Sequence, residues 1–116
     1  MLSMTPTVSS TPVSDSGVRT VRLTGALTFN VLNAVQEELR RELCPITIVD
    51  LTDVPYVDSA ALGTFVAFHV SCERDGRKYA LTGLSQRVLK LMAVCHMDSI
   101  LRTFPTIEDA LRNFSV

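Results

Sequence analysis

The sequence predicts a single α/β domain, a mixed sheet of four to five strands packed against about four helices. Three observations carry that reading. Segments rich in β-branched residues alternate with segments of helical period, the order that lays helices on a mostly parallel or mixed sheet. The strongest β-branched run, Ile46-Thr47-Ile48-Val49-Asp50-Leu51, is apolar almost without alternation, as in a strand covered on both faces. And 116 residues, 47% apolar and 20% charged, suffice for one core and not for two.

Each element follows in order. Residues 1–4 are expected to be a flexible end and 5–116 the domain. The Ser-, Thr- and Pro-rich opening offers an edge strand over Thr7 to Val13, and Ser14-Asp15-Ser16-Gly17 supplies turn chemistry before Val18 to Leu23. Together they read as a hairpin, in which Val18, Val21 and Leu23 are apolar and Arg19, Thr20 and Arg22 polar. Gly25 ends the second strand. From Phe29 a helical stripe of Leu32, Val35, Gln36, Leu39 and Leu43 takes over, until Pro45 stops it ahead of the central strand.

After an Asp53 to Val57 loop, Ala60 to about Cys72 is the second helix, ended by Glu73-Arg74-Asp75-Gly76-Arg77. A strand at Tyr79 to Thr82 precedes a third helix over Gln86 to Cys95, with Ser85 as N-cap. A short strand is expected near Ile100 and Leu101. The final helix, Thr106 to Phe114, places Glu108 and Asp109 in its first turn and Ile107, Ala110, Leu111 and Phe114 on one stripe.

Composition narrows function. Eleven basic and twelve acidic residues give a net charge of -1, without the positive excess of a nucleic-acid or anionic-membrane binder. Cys44, Cys72 and Cys95 lack C-x-x-C spacing, which argues against a disulfide framework or a zinc site, and they read as buried thiols. No glycine-rich phosphate loop occurs, so neither metal nor cofactor is expected. The apolar stretch Ala60 to Val70 is too short for a bilayer that needs about 20 residues. The opening residues lack the layout of a secretory signal, which points to the cytoplasm.

The chemistry concentrates at Val49-Asp50-Leu51-Thr52-Asp53-Val54-Pro55-Tyr56-Val57-Asp58-Ser59-Ala60-Ala61-Leu62-Gly63. A serine at a strand-to-helix junction has three readings. As a cap, Ser59 or Asp58 would satisfy free amides at the helix N-terminus. As a nucleophile, Ser59 would need a general base and an oxyanion hole, but no G-x-S-x-G elbow is present, and His69 and His96 read as hydrogen-bonded structural residues. As a phosphate acceptor, it would gain a charge of about -1.5 to -2 beside Asp58 and expel a partner packed there. The following helix has apolar residues on more than one face, which suits either an interface or burial on two sides.

The same stretch, extended through Thr64-Phe65-Val66, resembles the signature of the STAS domains, anti-sigma factor antagonist branch: a strand ending D-L-[ST], a short loop, then D-S-[SAG]-[GA]-[LI]-G. Val21-Arg22-Leu23-Thr24-Gly25-Ala26-Leu27 is similar to that family's L-x-G-x-L segment. The segments Leu81 to Leu101 and Phe104 to Leu111 resemble the later strand and helices, so the likeness spans residues 5 to 114. The resemblance implies a non-catalytic bacterial regulator of sigma-factor-dependent transcription, a monomer or homodimer that takes part in partner switching. Its partner would be an anti-sigma factor with serine kinase activity, bound in the unphosphorylated form and released on phosphorylation of Ser59. A phosphatase acting on phosphorylated Ser59 would reset it. Partner contact is assigned to Asp53, Tyr56, Asp58, Ser59, Ala60, Leu62 and Gly63. The alternative is an interaction module of a stressosome-like or lipid-transport complex in which Ser59 is structural. Two positions depart from the pattern: Thr28 stands where the family usually has Asp, and Ala60-Ala61 replaces the commoner Ser-Gly.

Overall fold

The computed structural model describes residues 6–41 and 44–114. Five strands lie in the sheet in chain order: β1 (Thr7–Ser10), β2 (Val18–Thr24), β3 (Ile46–Asp53), β4 (Lys78–Thr82) and β5 (Thr103–Phe104). β1 pairs antiparallel with β2, and every later neighbour is parallel. The hairpin turn is closed by Gly17 N–H to the Ser14 carbonyl at 2.9 Å and by Ser14 N–H to the Val18 carbonyl at 2.8 Å.

The parallel strands are linked by α1 (Leu32–Arg41), α2 (Ser59–Asp75) and α3 (Gln86–Val94). Crossovers of one hand, stepping in one direction along a sheet, put their helices on the same face. The main core forms on that face, from Val21 and Leu23 of β2, Val49 and Leu51 of β3, and Tyr79 and Leu81 of β4, packed on Val35, Leu39, Leu62, Phe65, Val88 and Met92. The last helix, α4 (Ile107–Asn113), covers the other face with Ala110 against Ile46, Ile48 and Ala80. β3 therefore has apolar residues on both sides, which explains its unbroken run.

The expected caps are present. Ser85 Oγ accepts from Val88 N–H at 3.2 Å, and Thr106 Oγ1 accepts from Asp109 N–H at 3.1 Å. Other expectations need correction. The edge strand stops at Ser10 rather than Val13, and the last strand lies at Thr103–Phe104 instead of Ile100 and Leu101. There the amides of Ile100 and Leu101 donate to the Met97 carbonyl in a turn. Cys44 and Cys72 are buried, but Cys95 is exposed just after α3. Leu43, assigned to the first helical stripe, lies outside the described residues, as do residues 1–5.

Arg19 is the larger surprise. Its alternation with Thr20 and Val21 places it on the core side of β2, where it is 1% exposed and donates through Nη2 to the Glu38 carbonyl of α1 at 2.6 Å. The Glu38 carboxylate in turn accepts from Ser10 Oγ at 2.8 Å and from Arg41 at 3.1 Å, which ties β1 to α1.

Beyond β4 the chain turns at Gly83, which has a φ of 72°. A Cβ there would meet the Thr52 backbone at 3.1 Å, so both the torsion and the close approach require glycine. Gly83→Ala is expected to destabilise the domain by roughly 1–3 kcal/mol, seen as a lower urea midpoint with an unchanged slope.

Candidate functional site

The junction of interest lies at the C-terminal ends of the parallel strands, where open α/β sheets place their functional loops. Two segments leave β2 and β3 side by side there. Gly25 N–H donates to the Asp53 carbonyl at 3.0 Å, Leu27 N–H to the Tyr56 carbonyl at 2.9 Å, and Asp58 N–H to the Leu27 carbonyl at 3.0 Å. Leu27 and Val57 form an isolated parallel bridge, and both are fully buried. Pairing between β2 and β3 also shifts register after Arg22, bringing Thr24 opposite Asp53. Arg22 then reaches the Asp53 carboxylate, an exposed ion pair whose hydrogen bond, and secondly whose charge, raises the Arg22 pKa.

Asp58 is the N-cap of α2. Its backbone is extended, at φ -94° and ψ 178°, and Oδ1 accepts from Ala61 N–H at 2.9 Å. Its other oxygen, Oδ2, accepts from Phe29 N–H at 3.1 Å. One carboxylate thus caps the helix and holds the loop after β2 against it. Ser59 is consequently the first helical residue, exposed, with a hydroxyl that takes no part in the cap. The choice between the two candidate caps is decided for Asp58.

The remaining assigned residues divide by depth. Ala60 and Gly63 are exposed beside Ser59, Asp53 and Tyr56 are partly exposed, and Leu62 is only 1% exposed. Leu62 belongs to the core and supports the surface from beneath. The Tyr56 ring lies under the Arg87 guanidinium, 4.7 Å from the ring centroid. Thr64, the next hydroxyl along α2, is buried and donates to the Ala60 carbonyl at 3.2 Å, while Thr52 Oγ1 donates to Asp50 Oδ1 at 2.6 Å.

α2 is buried on one side only. Leu62, Phe65, Phe68 and Cys72 face the core, and Ala60, Gly63, Ala67 and Val70 form an exposed apolar stripe running away from Ser59. Phe29, which the helical period had drawn into α1, instead sits in a 3-10 turn over Phe29–Val31 and is 71% exposed. Its amide bond to Asp58 fixes it next to the α2 terminus. Sequence reasoning missed Phe29 because its spacing to Leu32 fits a helical stripe, whereas the chain reaches α1 through a separate 3-10 turn whose first amide is held by Asp58.

No hydrogen bond among the described residues joins a histidine to Ser59. His69 lies ten residues along α2, about 15 Å up the axis, and its Nδ1 pairs with Tyr79 Oη at 2.8 Å. Tyr79 Oη also accepts from Arg102 N–H at 3.2 Å, and burial pushes its phenol pKa up. His69 is a structural residue, as expected. His96 stands exposed after α3 at φ 59°. Among the described residues no group of His, Cys, Asp and Glu side chains could hold a metal ion.

The STAS domain family matches residues 11–110. The chain belongs to that family. Within it, this STAS domain is 36% identical to the anti-sigma-B factor antagonist of Listeria monocytogenes over 53 residues, 46% of each chain. A Thermotoga neapolitana homolog of TM1081 is 33% identical over 61 residues, 53% of this chain and 54% of that one. The domain's matched region thus spans about half the length of these curated relatives. Among solved structures, an anti-sigma factor antagonist from Mycobacterium paratuberculosis superposes with a TM-score of 0.83 at 18% identity, covering 97% of both chains. Unphosphorylated SpoIIAA gives 0.75 at 14% identity over 95% of this chain and 98% of its own. These likenesses establish a shared fold. No helix among the described residues is long and apolar enough to cross a membrane.

The division of labour at the junction is testable by denaturation. Asp58→Ala is expected to cost about 1–2 kcal/mol, because it leaves the amides of Ala61 and Phe29 without their acceptor. Ser59→Ala is expected to change stability by no more than about 0.5 kcal/mol.

Proposed function

We propose that this STAS domain is an anti-sigma factor antagonist. In its unphosphorylated form it binds an anti-sigma factor that is also a serine kinase, and phosphorylation of Ser59 releases it. One observation carries the reading: Ser59 is exposed at the first turn of α2 with its hydroxyl unused, because the neighbouring Asp58 does the capping. A serine that capped its own helix would have to give up that bond to become an acceptor. Here the chemistry of the hydroxyl is separable from the stability of the helix.

The surroundings suit a charge switch. The exposed stripe of Ala60, Gly63, Ala67 and Val70, with Phe29 beside its start, is the apolar surface a partner would cover. A phosphate at Ser59 would add about -1.5 to -2 charge at the rim of that surface and next to Asp58. The amides of the first helical turn would accommodate it locally, so the fold persists while the docking face becomes anionic. Thr64 is too buried to compete as acceptor. The names of the Listeria relative and of the Mycobacterium structure support the partner class, and SpoIIAA, which shares the fold, has been solved in a phosphorylated form. A phosphatase acting on Ser59 would complete the cycle.

The test is calorimetric binding to the cognate anti-sigma factor for wild type, Ser59→Ala and Ser59→Asp. Wild type and the Ala variant are expected to bind alike, and the Asp variant to lose about 2–5 kcal/mol through an unpaired charge in the interface. Equal affinity of the Asp and Ala variants would reject the switch. Incubation with the same factor and MgATP is expected to place phosphate on Ser59 by mass spectrometry, and phosphate on Thr52 or Thr64 would reject the site.

A further inference from the structure

The opposite end of α2 carries a second concave site. A cavity of about 300 Å³ opens where α2 hands over to β4, bounded by Glu73, Arg77, Lys78, Tyr79, Arg102 and Phe114. Three elements distant in sequence converge on it: the α2–β4 turn, the segment before β5, and the end of α4. Hydrogen bonds fix the turn and join the segment before β5 to β4. Gly76 and Arg77 N–H groups both donate to the Cys72 carbonyl, and Arg102 N–H donates to Tyr79 Oη at 3.2 Å.

The charges there do not cancel. Asp75 is engaged by both Arg74, at 3.2 Å, and Arg77, at 3.0 Å. Glu73 approaches Arg102 only to 3.7 Å, longer than a hydrogen bond. Among the described residues, Arg77, Lys78 and Arg102 line the cleft with Glu73 as its one carboxylate, while Asp75 lies outside the lining and is shared by Arg74 and Arg77. The Arg77 side chain is only 11% exposed; its Nη2 donates to Asp75 at 3.0 Å and to Ser71 Oγ at 3.4 Å, and its buried Nε–H has no acceptor among the described residues. A guanidinium receives an anion through its planar fork better than an ammonium does. The Phe114 ring also lines the cleft, packed edge-on to Phe104 with centroids 6.3 Å apart.

We propose that this cleft binds a small phosphate monoester, its anionic oxygens held by Arg77, Lys78 and Arg102 and its organic group laid against Phe114. The volume matches the lower end of small-molecule sites. The site is at the far end of α2 from Ser59 and does not depend on the switch proposed above.

The experiment is a ¹⁵N NMR titration of the full chain with phenyl phosphate at constant ionic strength. Saturable shifts centred on Arg77, Lys78 and Arg102 are expected, with a Kd on the order of 1 mM. Inorganic phosphate, which lacks the ring, is expected to bind roughly fivefold more weakly at the same residues. The double variant Lys78→Gln/Arg102→Gln changes two exposed side chains, so its own spectrum reports that it is folded, and it is expected to bind at least about tenfold more weakly. Shifts that fail to saturate, that spread evenly over surface cations, or that persist unchanged in the double variant would overturn the proposal.

Discussion

The site depends on one carboxylate. Asp58 must satisfy an amide in the first turn of α2 and an amide at the start of the 3-10 turn after β2, two segments that belong to different strands. Each amide has its own carboxylate oxygen, Oδ1 for Ala61 and Oδ2 for Phe29, so the two bonds do not compete. Because aspartate has two oxygens on a short stem, the direction of α2 is locked to the path of the neighbouring loop. Ser59 and Phe29 are displayed together as a result of that lock.

The sheet beneath supplies the precision. Leu27 and Val57 are packed to zero exposure and pair as a bridge one residue before the cap, so the carboxylate is presented from a buried support. The shift in pairing after Arg22 feeds Asp53 toward the guanidinium and lets the β3 loop follow the β2 loop. Leu62 fills the space directly below the exposed turn. Rigidity below and exposure above are what a small recognition surface requires.

Much of this was legible in the residues. Helix periods, Pro45, the turn at Ser14 to Gly17 and the unbroken β3 run dictated the order of elements, because each is a local signal with a local cause. The junction itself was visible as a strand giving way to a capped helix, although the choice between Asp58 and Ser59 was not, since adjacent residues satisfy the same spacing. The burial of Arg19 was not legible from its polarity, whereas period 2 along β2 sets it beside Val21 and Leu23 and an α1 carbonyl receives it. Phe29 was absorbed into α1 for want of any sequence mark of a 3-10 turn. The cleft at Arg77 was illegible for a different reason: its walls come from positions some forty residues apart that β4–β5 pairing and α4 packing bring together.

The sheet's two borders bear on how such a molecule survives in a crowded solution. β5 is only two residues long and runs into Pro105, and β1 is four residues bounded by Pro6 and, two positions on, Pro12. Neither border offers the long row of free amides and carbonyls that would recruit another sheet, and proline denies further donors at each. A domain that keeps a phenylalanine and an apolar helix stripe in water carries an inherent hazard of self-association. Blunt borders confine that hazard to side-chain contact, which is reversible, and withhold the backbone ladder through which association would become a fibre.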